Sequence, residues 1–256
     1  MARRPRIDFA GFHHLVNRGV ARSNVYLCDV DKEKFLEILC KACRDYKAVL
    51  HDYCLMDNHY HILLETRQEN LSLLMRQVNS NYATFFNKKY NRTGHLWQGR
   101  YKSWYVTREA YLYMLFRYIE YNPVKAKMAS SVGQYPFSFA YTIINKTRLP
   151  CTEASILAQE FATDTLLEFL EVDLTEEEIR SLQEEQKRKV YVDEADNLQQ
   201  SKRLRLDEHF TECETKAERN CAIVNAHEDG YTQSSIAEYL GVTAGLVSIV
   251  IKKIKD

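Results

Sequence analysis

The run from Cys54 to Glu65, which reads CLMDNHYHILLE, constrains the fold of this chain more than any other feature. Two strand-like stretches flank the turn-prone pair Asp57-Asn58, which predicts two strands joined by a tight turn. Successive side chains on a strand point to opposite faces, so His59 and His61 are expected to share one face. Two imidazoles in that arrangement can bind one divalent metal ion.

The same pair of histidines has a simpler interpretation, since histidines on one face of a strand often only pack or form hydrogen bonds. Tyr60, Ile62 and Leu64 alternate with them and are expected to face the core. The histidines would then lie on a face that packing does not need, which favours the metal interpretation. Two neutral histidines leave Mg²⁺ or Mn²⁺ open positions for a third protein ligand, water and phosphate oxygens.

The first 145 residues alternate between strand-like and helix-like patterns. Strands are predicted at residues 12–18, 25–28, 48–56, 59–65 and within 96–106, and helices at residues 31–46, 71–90 and from an N-cap at Thr107 to Asn122, where Pro123 ends the last one. Hairpin-like strand pairs interleaved with helices predict an α+β fold, in which helices cover an antiparallel sheet.

Charge and pattern divide the chain into three predicted parts. Residues 1–147 form the α+β domain, residues 148–215 a charged helical connector, and residues 216–256 a separate all-α unit. Residues 1–150 carry 23 Lys and Arg against 12 Asp and Glu, a net charge of +11, although the whole chain is neutral with 35 of each sign. A basic, tyrosine-rich first part suits a polyanion with stackable bases.

The last forty residues have the sequence pattern of a helix-turn-helix. Thr232 and Thr243 are predicted to cap two short helices, and Leu240-Gly241-Val242 forms the turn between them. Ser248 and Lys252 would then lie on the outward face of the second helix, where they can contact duplex DNA. A helical hairpin of this kind can also serve packing or oligomerisation.

The seven cysteines lack the regular spacing of a disulfide framework, so a reducing compartment is the simpler expectation. Cys40 and Cys43 have no partner pair for a zinc site and are expected to be two small buried residues on one helix face. No apolar run approaches the roughly 20 residues that span a bilayer. We therefore expect a cytoplasmic protein without membrane contact.

The third predicted helix ends with a tyrosine and an amide four residues apart, Tyr118 and Asn122. Tyr118 lies at the edge of an apolar stripe formed by Leu112, Leu115, Phe116 and Ile119. On a continuous helix, Asn122 would project from nearly the same face and could offer its amide oxygen to a metal ion. Tyr121 is the main rival phenol, and both tyrosines could instead only close the core.

Four motifs in one order give the chain a family resemblance: MDNHYHILL from Met56, GHLWQGRYK from Gly94, RYIEYNPVKA from Arg117 and YPFSF from Tyr135. Together they resemble the single-tyrosine HUH transposases, in particular the REP-associated tyrosine transposases. The resemblance covers about residues 8–145 and implies an HUH-type fold, related to ferredoxin-like and RRM-like sheets. It also implies a metal ion bound by His59, His61 and Asn122, with Tyr118 as the nucleophile.

The resemblance implies a metal-dependent strand transferase that cuts single-stranded DNA near a hairpin through a 5′-phosphotyrosine. Backbone and base contacts are expected from basic residues interleaved with aromatic ones: Arg100, Lys102, Arg117 and Lys125, with Trp97, Tyr101, Trp104 and Tyr105. One alternative is a DNA-binding regulator that keeps the transposase fold without strand transfer, and another is a hydrolytic metalloenzyme. Relatives include monomers and dimers, so a homodimer is one compatible assembly.

Overall fold

The computed structural model describes residues 8–106, 109–187, 189–192, 198–201, 206–211, 213, 215–228 and 231–255. Four strands form the main sheet: β1 (Gly11–Arg18), β2 (Ala48–Met56), β3 (His59–Thr66) and β4 (Lys102–Val106). All neighbours are antiparallel, in the order β2-β3-β1-β4. The predicted hairpin of β2 and β3 and the α+β class are confirmed.

The helices of the first unit follow the strands along the chain. They are α1 (Asp29–Asp45), α2 (Leu71–Lys89), α3 (Glu109–Glu120), α4 (Asn122–Lys125), α5 (Phe139–Ile144), α6 (Ile156–Glu160), α7 (Thr163–Leu170) and α8 (Glu176–Lys187). Short 3₁₀ turns occur at Val20–Arg22, Pro150–Thr152 and, later in the chain, Glu208–Phe210. The helix N-cap predicted at Thr107 lies outside the described residues.

One face of the sheet packs on α1 and α2 through a cluster of large aromatic rings. Phe35 of α1 lies 5.1 Å from Tyr60 and 5.2 Å from Tyr82 of α2, measured between ring centroids. The hydroxyl of Tyr60 donates to Asn79 of α2. Burial of such rings is the main source of stability on this side of the sheet, which we call the aromatic face.

The opposite face of the sheet packs on α3 and is unusually polar for a buried surface. His14, Asp52 and His61 of the strands are buried there, as is Glu120 of α3. The sequence-based expectation that this face is not needed for packing is therefore wrong. Helices cover both faces, and the aromatic face also buries polar side chains of the strands, those of His13, Asn17 and Thr66.

Residues 148–186 pack onto the first unit instead of forming a separate connector. The described contacts divide the chain into Met1–Gln186 and Lys187–Asp256, which differs from the predicted boundary at residue 147. Leu157, Leu166 and Leu182 belong to the same buried cluster as the sheet. These apolar residues lie between charged ones, which is why the sequence of α8 resembles a solvated segment.

Two further local predictions differ from the structure. Residues 25–28 form no strand, because the backbone amides of Val25 and Tyr26 instead donate to the carbonyl of Asp57 in the β2–β3 turn. Pro123 does not simply end a helix but occupies the first turn of α4. A proline is well suited to that place, since the first helical amides have no partner within the helix.

Cys40 forms a disulfide with Cys151, with 5.1 Å between their Cα atoms. The bond ties α1 to the 3₁₀ turn at Pro150–Thr152 and corrects the expectation that Cys40 is only a small buried residue. Cys43 is buried and free, as expected. The expectation of a chain with reduced cysteines alone does not hold for this pair.

The second unit contains a small two-stranded sheet and three helices. Its elements are β5 (Lys189–Val192), β6 (Leu198–Ser201), α9 (Lys216–Glu228), α10 (Gln233–Leu240) and α11 (Ala244–Lys255). Ile223, Ile236 and Val247, one from each helix, are buried together. No single described helix is long and apolar enough to span a membrane, although α10 and α11 taken together pass that criterion with a bend of 113°.

Candidate active site on the histidine face

The strand register decides which side chains share the α3 side of the sheet. His59 and His61 of β3 lie opposite Arg18 and Val16 of β1, and β1 also contributes His14 two residues earlier. Cross-strand partners point to the same face, so these five side chains form one surface. The register of β1 with β4 adds Lys102 and Trp104 to it. We call this surface the histidine face.

A pocket with a volume of about 530 Å³ opens on the histidine face. It lies between the strands, the loop before β4 and α3. Its lining residues are His14, Val16, Asn17, Arg18, Arg22, Asn58, His59, His61, Gln98, Gly99, Arg100, Lys102, Trp104 and Tyr118. The pocket therefore combines imidazoles, one phenol and several cations, and no carboxylate is among its lining residues.

The two predicted histidines lie side by side in this pocket, with 5.1 Å between their ring centroids. His59 places Nδ1 2.6 Å from the Oδ1 of Asn58, and His61 places Nδ1 3.1 Å from the Nε2 of His14. Burial lowers the pKa of His61 well below its usual value, with smaller effects from His14 and His59. Burial and then the charge of Arg18 lower the pKa of His59. Both rings are neutral at pH 7.

This arrangement fits a divalent metal ion. A hydrogen bond to an oxygen acceptor requires the proton of His59 on Nδ1, which leaves the lone pair of Nε2 available. Among the described residues, neither His59 nor His61 uses its Nε2 in a hydrogen bond. No group of three or more His, Cys, Asp or Glu suited to a metal occurs in the described part of the chain. A neutral oxygen, such as that of a side-chain amide, is the kind of third ligand that this finding leaves open among the described residues.

Tyr118 lies beside the histidines, on α3. Its ring is edge-on to His61, with 5.7 Å between centroids, and edge-on to His14 at 6.1 Å. Burial raises the pKa of its phenol, so loss of the proton requires a nearby positive charge. The ammonium of Lys125 lies 5.6 Å from the centre of the Tyr118 ring.

The rival phenol, Tyr121, has a different environment. A hydrogen bond with the carboxylate of Asp173 is the main cause of its raised pKa. Tyr121 does not line the pocket. Of the two tyrosines, only Tyr118 shares a cavity with the histidines.

The side chain of Asn122 bonds to the end of α3. Its side-chain amide nitrogen donates to the backbone carbonyl of Tyr118 at 2.7 Å and to that of Ile119 at 3.3 Å. The amide thus satisfies free carbonyl groups at the end of α3. It does not line the pocket, and its amide oxygen is the only group that it could offer to a metal ion.

The predicted DNA-contacting residues separate into two sets. Arg100, Lys102 and Trp104 line the pocket, and Trp104 stacks on His14 with 5.3 Å between centroids. Arg117 does not line the pocket and forms an ion pair with Glu178 of α8, so its contact with DNA stays a prediction. The other three predicted aromatic residues also serve the fold: Trp97 donates to the carbonyl of Asn79, Tyr101 is buried, and Tyr105 donates to the carbonyl of Ala10.

A comparison with known protein families finds a match, which lies in the first unit of the chain. Residues 10–122 match the family model described as "Transposase IS200 like". Over these residues the chain is similar to the IS200-like transposases. The match confirms the transposase resemblance that the sequence motifs indicate. It covers β1 to the start of α4, and therefore every strand of the histidine face. No protein with a curated description matches the chain.

Two solved structures show a distant likeness to this chain. One is a REP-associated tyrosine transposase bound to a REP hairpin, with 19% identity, 64% of this chain and 96% of that chain covered, and a TM-score of 0.48. The other is a candidate transposase from Deinococcus radiodurans R1, with 20% identity, 47% and 96% coverage, and a TM-score of 0.34. Both likenesses are too distant to carry a functional argument.

Two residues of the candidate site are absent from the sequence-based set, His14 and Arg18. Arg18 directs its guanidinium to Gln98 Oε1, at 3.2 Å from Nε and 3.1 Å from Nη2. The alternation of β1 places both residues on one face, which a sequence shows. Their proximity to His59 and His61 depends on the pairing of β1 with β3, which the sequence does not show.

The second unit of the chain carries the remaining predicted residues. Ser248 and Lys252 lie on α11, with Ser248 half-buried and Lys252 exposed. Thr232 accepts a hydrogen bond from the backbone amide of Ser235 and caps α10, as predicted. Gly241 ends α10 in the left-handed conformation, with a φ of 65°, which a glycine adopts without strain.

Proposed function

We propose that this IS200-like transposase cleaves and rejoins single-stranded DNA through a covalent bond between Tyr118 and a 5′-phosphate. One observation carries the proposal: the ring of Tyr118 lies 5.7 Å from that of His61 inside a pocket that His59 and several cations also line. A nucleophile, a pair of metal-binding imidazoles and phosphate-binding cations are the parts that such a reaction needs.

His59 and His61 would bind Mg²⁺ or Mn²⁺ through their free Nε2 atoms. Asn122 is the proposed third ligand, since its amide oxygen can bind a metal while the amide nitrogen stays on the Tyr118 carbonyl. The bound ion would withdraw charge from the non-bridging oxygens of the scissile phosphate. Mg²⁺ and Mn²⁺ accept such a mixed set of nitrogen and oxygen ligands and retain sites for water and phosphate.

Tyr118 would attack the phosphorus atom in line with the bond to the 3′-oxygen. The phenol loses its proton as the bond from its oxygen to phosphorus forms, and the 3′-oxygen leaves and takes up a proton. The products are a 5′-phosphotyrosine and a free 3′-hydroxyl. Because the energy of the phosphodiester stays in the covalent bond, a second 3′-hydroxyl can reverse the step and join strands without ATP.

The proposed substrate is single-stranded DNA next to a hairpin, as the motif resemblance implies. Arg100 and Lys102 line the pocket and Lys125 lies near Tyr118, so the three cations can bind successive phosphates. Trp104 forms part of the same wall and offers a surface for one base. This distribution favours an unpaired strand, whose bases are free to stack.

The second unit is proposed to bind duplex DNA as a helix-turn-helix. The bend of 113° between α10 and α11 lies within the range of that motif, and the caps at Thr232 and Gly241 fix its turn. Ser248 and Lys252 would face the DNA. We expect the protein in the cytoplasm, as a monomer or a homodimer.

The proposal is tested with a labelled single strand that contains a hairpin, incubated with Mn²⁺ and the full chain. We expect the wild type and Tyr121→Phe to cut the strand and to form a covalent adduct that survives denaturation, and Tyr118→Phe to form none. Equal adducts with Tyr118→Phe would contradict the assignment of the nucleophile. Binding without any cleavage would favour the regulator, and cleavage without an adduct would favour a hydrolytic enzyme.

A further inference from the structure

His14 is a fully buried histidine at the centre of the histidine face. Its ring stacks on His61, with 5.4 Å between centroids, and on Trp104 at 5.3 Å. It also meets the edge of the Tyr118 ring at 6.1 Å. An apolar ring would fill this space without the cost of burying a polar group, so packing alone does not explain a histidine here.

Among the described residues, His14 forms one side-chain hydrogen bond, to His61. The Nε2 of His14 lies 3.1 Å from the Nδ1 of His61, and both side chains are buried. Only one proton fits between two ring nitrogens at this distance, so one ring must donate while the other accepts.

The direction of this hydrogen bond decides what His61 offers to the pocket. If His14 donates, His61 carries its own proton on Nε2, which points an N–H into the pocket and excludes a metal ion. If His61 donates from Nδ1, the lone pair on Nε2 is free. The other nitrogen of His14, Nδ1, is buried without a hydrogen-bond partner among the described residues.

We propose that His14 is a positioning residue that accepts the Nδ1–H of His61 and so keeps the lone pair of His61 Nε2 directed into the pocket. The inference rests on the proposed function, because that lone pair has a purpose only if the pocket binds a metal ion. His14 is expected to touch neither the metal nor the DNA. Its effect would be exerted through the orientation and protonation of its neighbour.

Two substitutions separate this role from simple packing. His14→Phe keeps a ring between Trp104 and His61 but removes the acceptor. His14→Gln loses the ring but can place its amide oxygen near the position of Nε2 and accept the same hydrogen bond. The matched control is His13→Phe, because His13 is also fully buried but bonds to the carbonyl of Phe9.

The first measurement is the tautomer of His61 in the full-length protein without metal, read from long-range ¹⁵N correlations of labelled histidine. We expect the proton on Nδ1 in the wild type, in His14→Gln and in His13→Phe. In His14→Phe we expect a substantial population with the proton on Nε2. A wild-type His61 with its proton on Nε2 would overturn the inference, whatever the metal does.

The second measurement is Mn²⁺ affinity by titration calorimetry on the same four proteins. Loss of a group that orients a metal ligand usually weakens binding about 10- to 100-fold, and we expect this for His14→Phe alone. Wild-type binding that is unchanged in His14→Phe would overturn the role of His14 but leave the metal site intact. Absence of Mn²⁺ binding in the wild type would overturn the metal site itself, and the role of His14 with it.

Discussion

The two faces of the main sheet are made by the same strands but are used differently. On the aromatic face, Tyr60 packs between α1 and α2, and its polar atom is satisfied by Asn79. On the histidine face, the next residue, His61, is equally inaccessible but faces a pocket with cations and a phenol. Because successive side chains of the strand point to opposite faces, one residue packs in the core and the next faces the pocket.

Substitution of neighbouring residues on β3 tests most strongly whether the two faces of the sheet have separate roles. His61→Ala removes a proposed metal ligand, and we expect hairpin cleavage to fall roughly 10²- to 10³-fold, as for loss of one charge-stabilising group in other enzymes. Tyr60→Phe keeps the ring on the aromatic face and removes the hydroxyl that donates to Asn79. Single-turnover cleavage rates with Mn²⁺ measure both, and an equal loss in Tyr60→Phe would show that the two faces are not separate.

A second pair of substitutions on β3, one on each face, tests the stability of the fold instead of its activity. Ile62→Ala opens a cavity in the fully buried core of the aromatic face and should cost about 2–5 kcal/mol of unfolding free energy. His59→Ala lies on the half-exposed rim of the pocket and should cost less than about 1 kcal/mol. Urea unfolding at one pH compares the two variants. A larger cost for His59→Ala would place part of the core on the histidine face.

Much of this separation can be predicted from the sequence, because it depends on local patterns. The turn at Asp57-Asn58 and the alternation that follows fix β2, β3 and the shared face of His59 and His61. Long-range contacts are different. The pairing of β1 with β3 brings in His14, and the packing of α8 takes Arg117 away from the pocket. The sequence near those residues does not indicate either contact.

The end of α3 shows a second kind of limit. A spacing of four residues predicts that Tyr118 and Asn122 project together, which holds only if the amide is not needed elsewhere. In the structure, the Asn122 amide nitrogen bonds to the last free carbonyl groups of α3. Asparagine side chains often form hydrogen bonds with nearby backbone groups, and the sequence alone does not show that the Asn122 amide nitrogen does so here.

A smaller effect concerns the buried carboxyl groups behind the pocket. Burial and then the charge of Glu120 raise the pKa of Asp52 well above its usual value, and burial raises that of Glu120. An acid with a raised pKa in the folded protein stabilises it below about pH 4, and this contribution is lost as the pH rises towards the raised pKa. The unfolding free energy should therefore decline over that range.

Asp52→Asn mimics the protonated acid and should flatten this decline. The difference between wild type and variant is expected to change by roughly 1.4 kcal/mol for each unit by which the pKa of Asp52 is raised. Urea unfolding of both proteins between pH 4 and pH 8 measures it. Parallel pH profiles would show that Asp52 does not retain its proton in the folded protein, and that the histidine face tolerates a buried charge.

The smallest expected effect concerns DNA affinity. Lys102 lines the pocket, so Lys102→Ala should weaken binding of single-stranded DNA and reduce the slope of log K against log salt by about 0.7. Lys88 is exposed on α2, on the other side of the sheet, and Lys88→Ala is the matched control. Fluorescence anisotropy at several salt concentrations measures DNA affinity for both variants. Equal slopes would show that Lys102 in the pocket does not contact a DNA phosphate.

The most direct test of the account is an anomalous-diffraction map of crystals of the full chain grown with Mn²⁺. We predict one peak in the pocket, about 2.1 Å from the Nε2 atoms of both His59 and His61, with the Tyr118 hydroxyl facing the same cavity. A Mn²⁺ peak bound elsewhere, with those two Nε2 atoms left hydrogen-bonded to protein groups, would contradict the account.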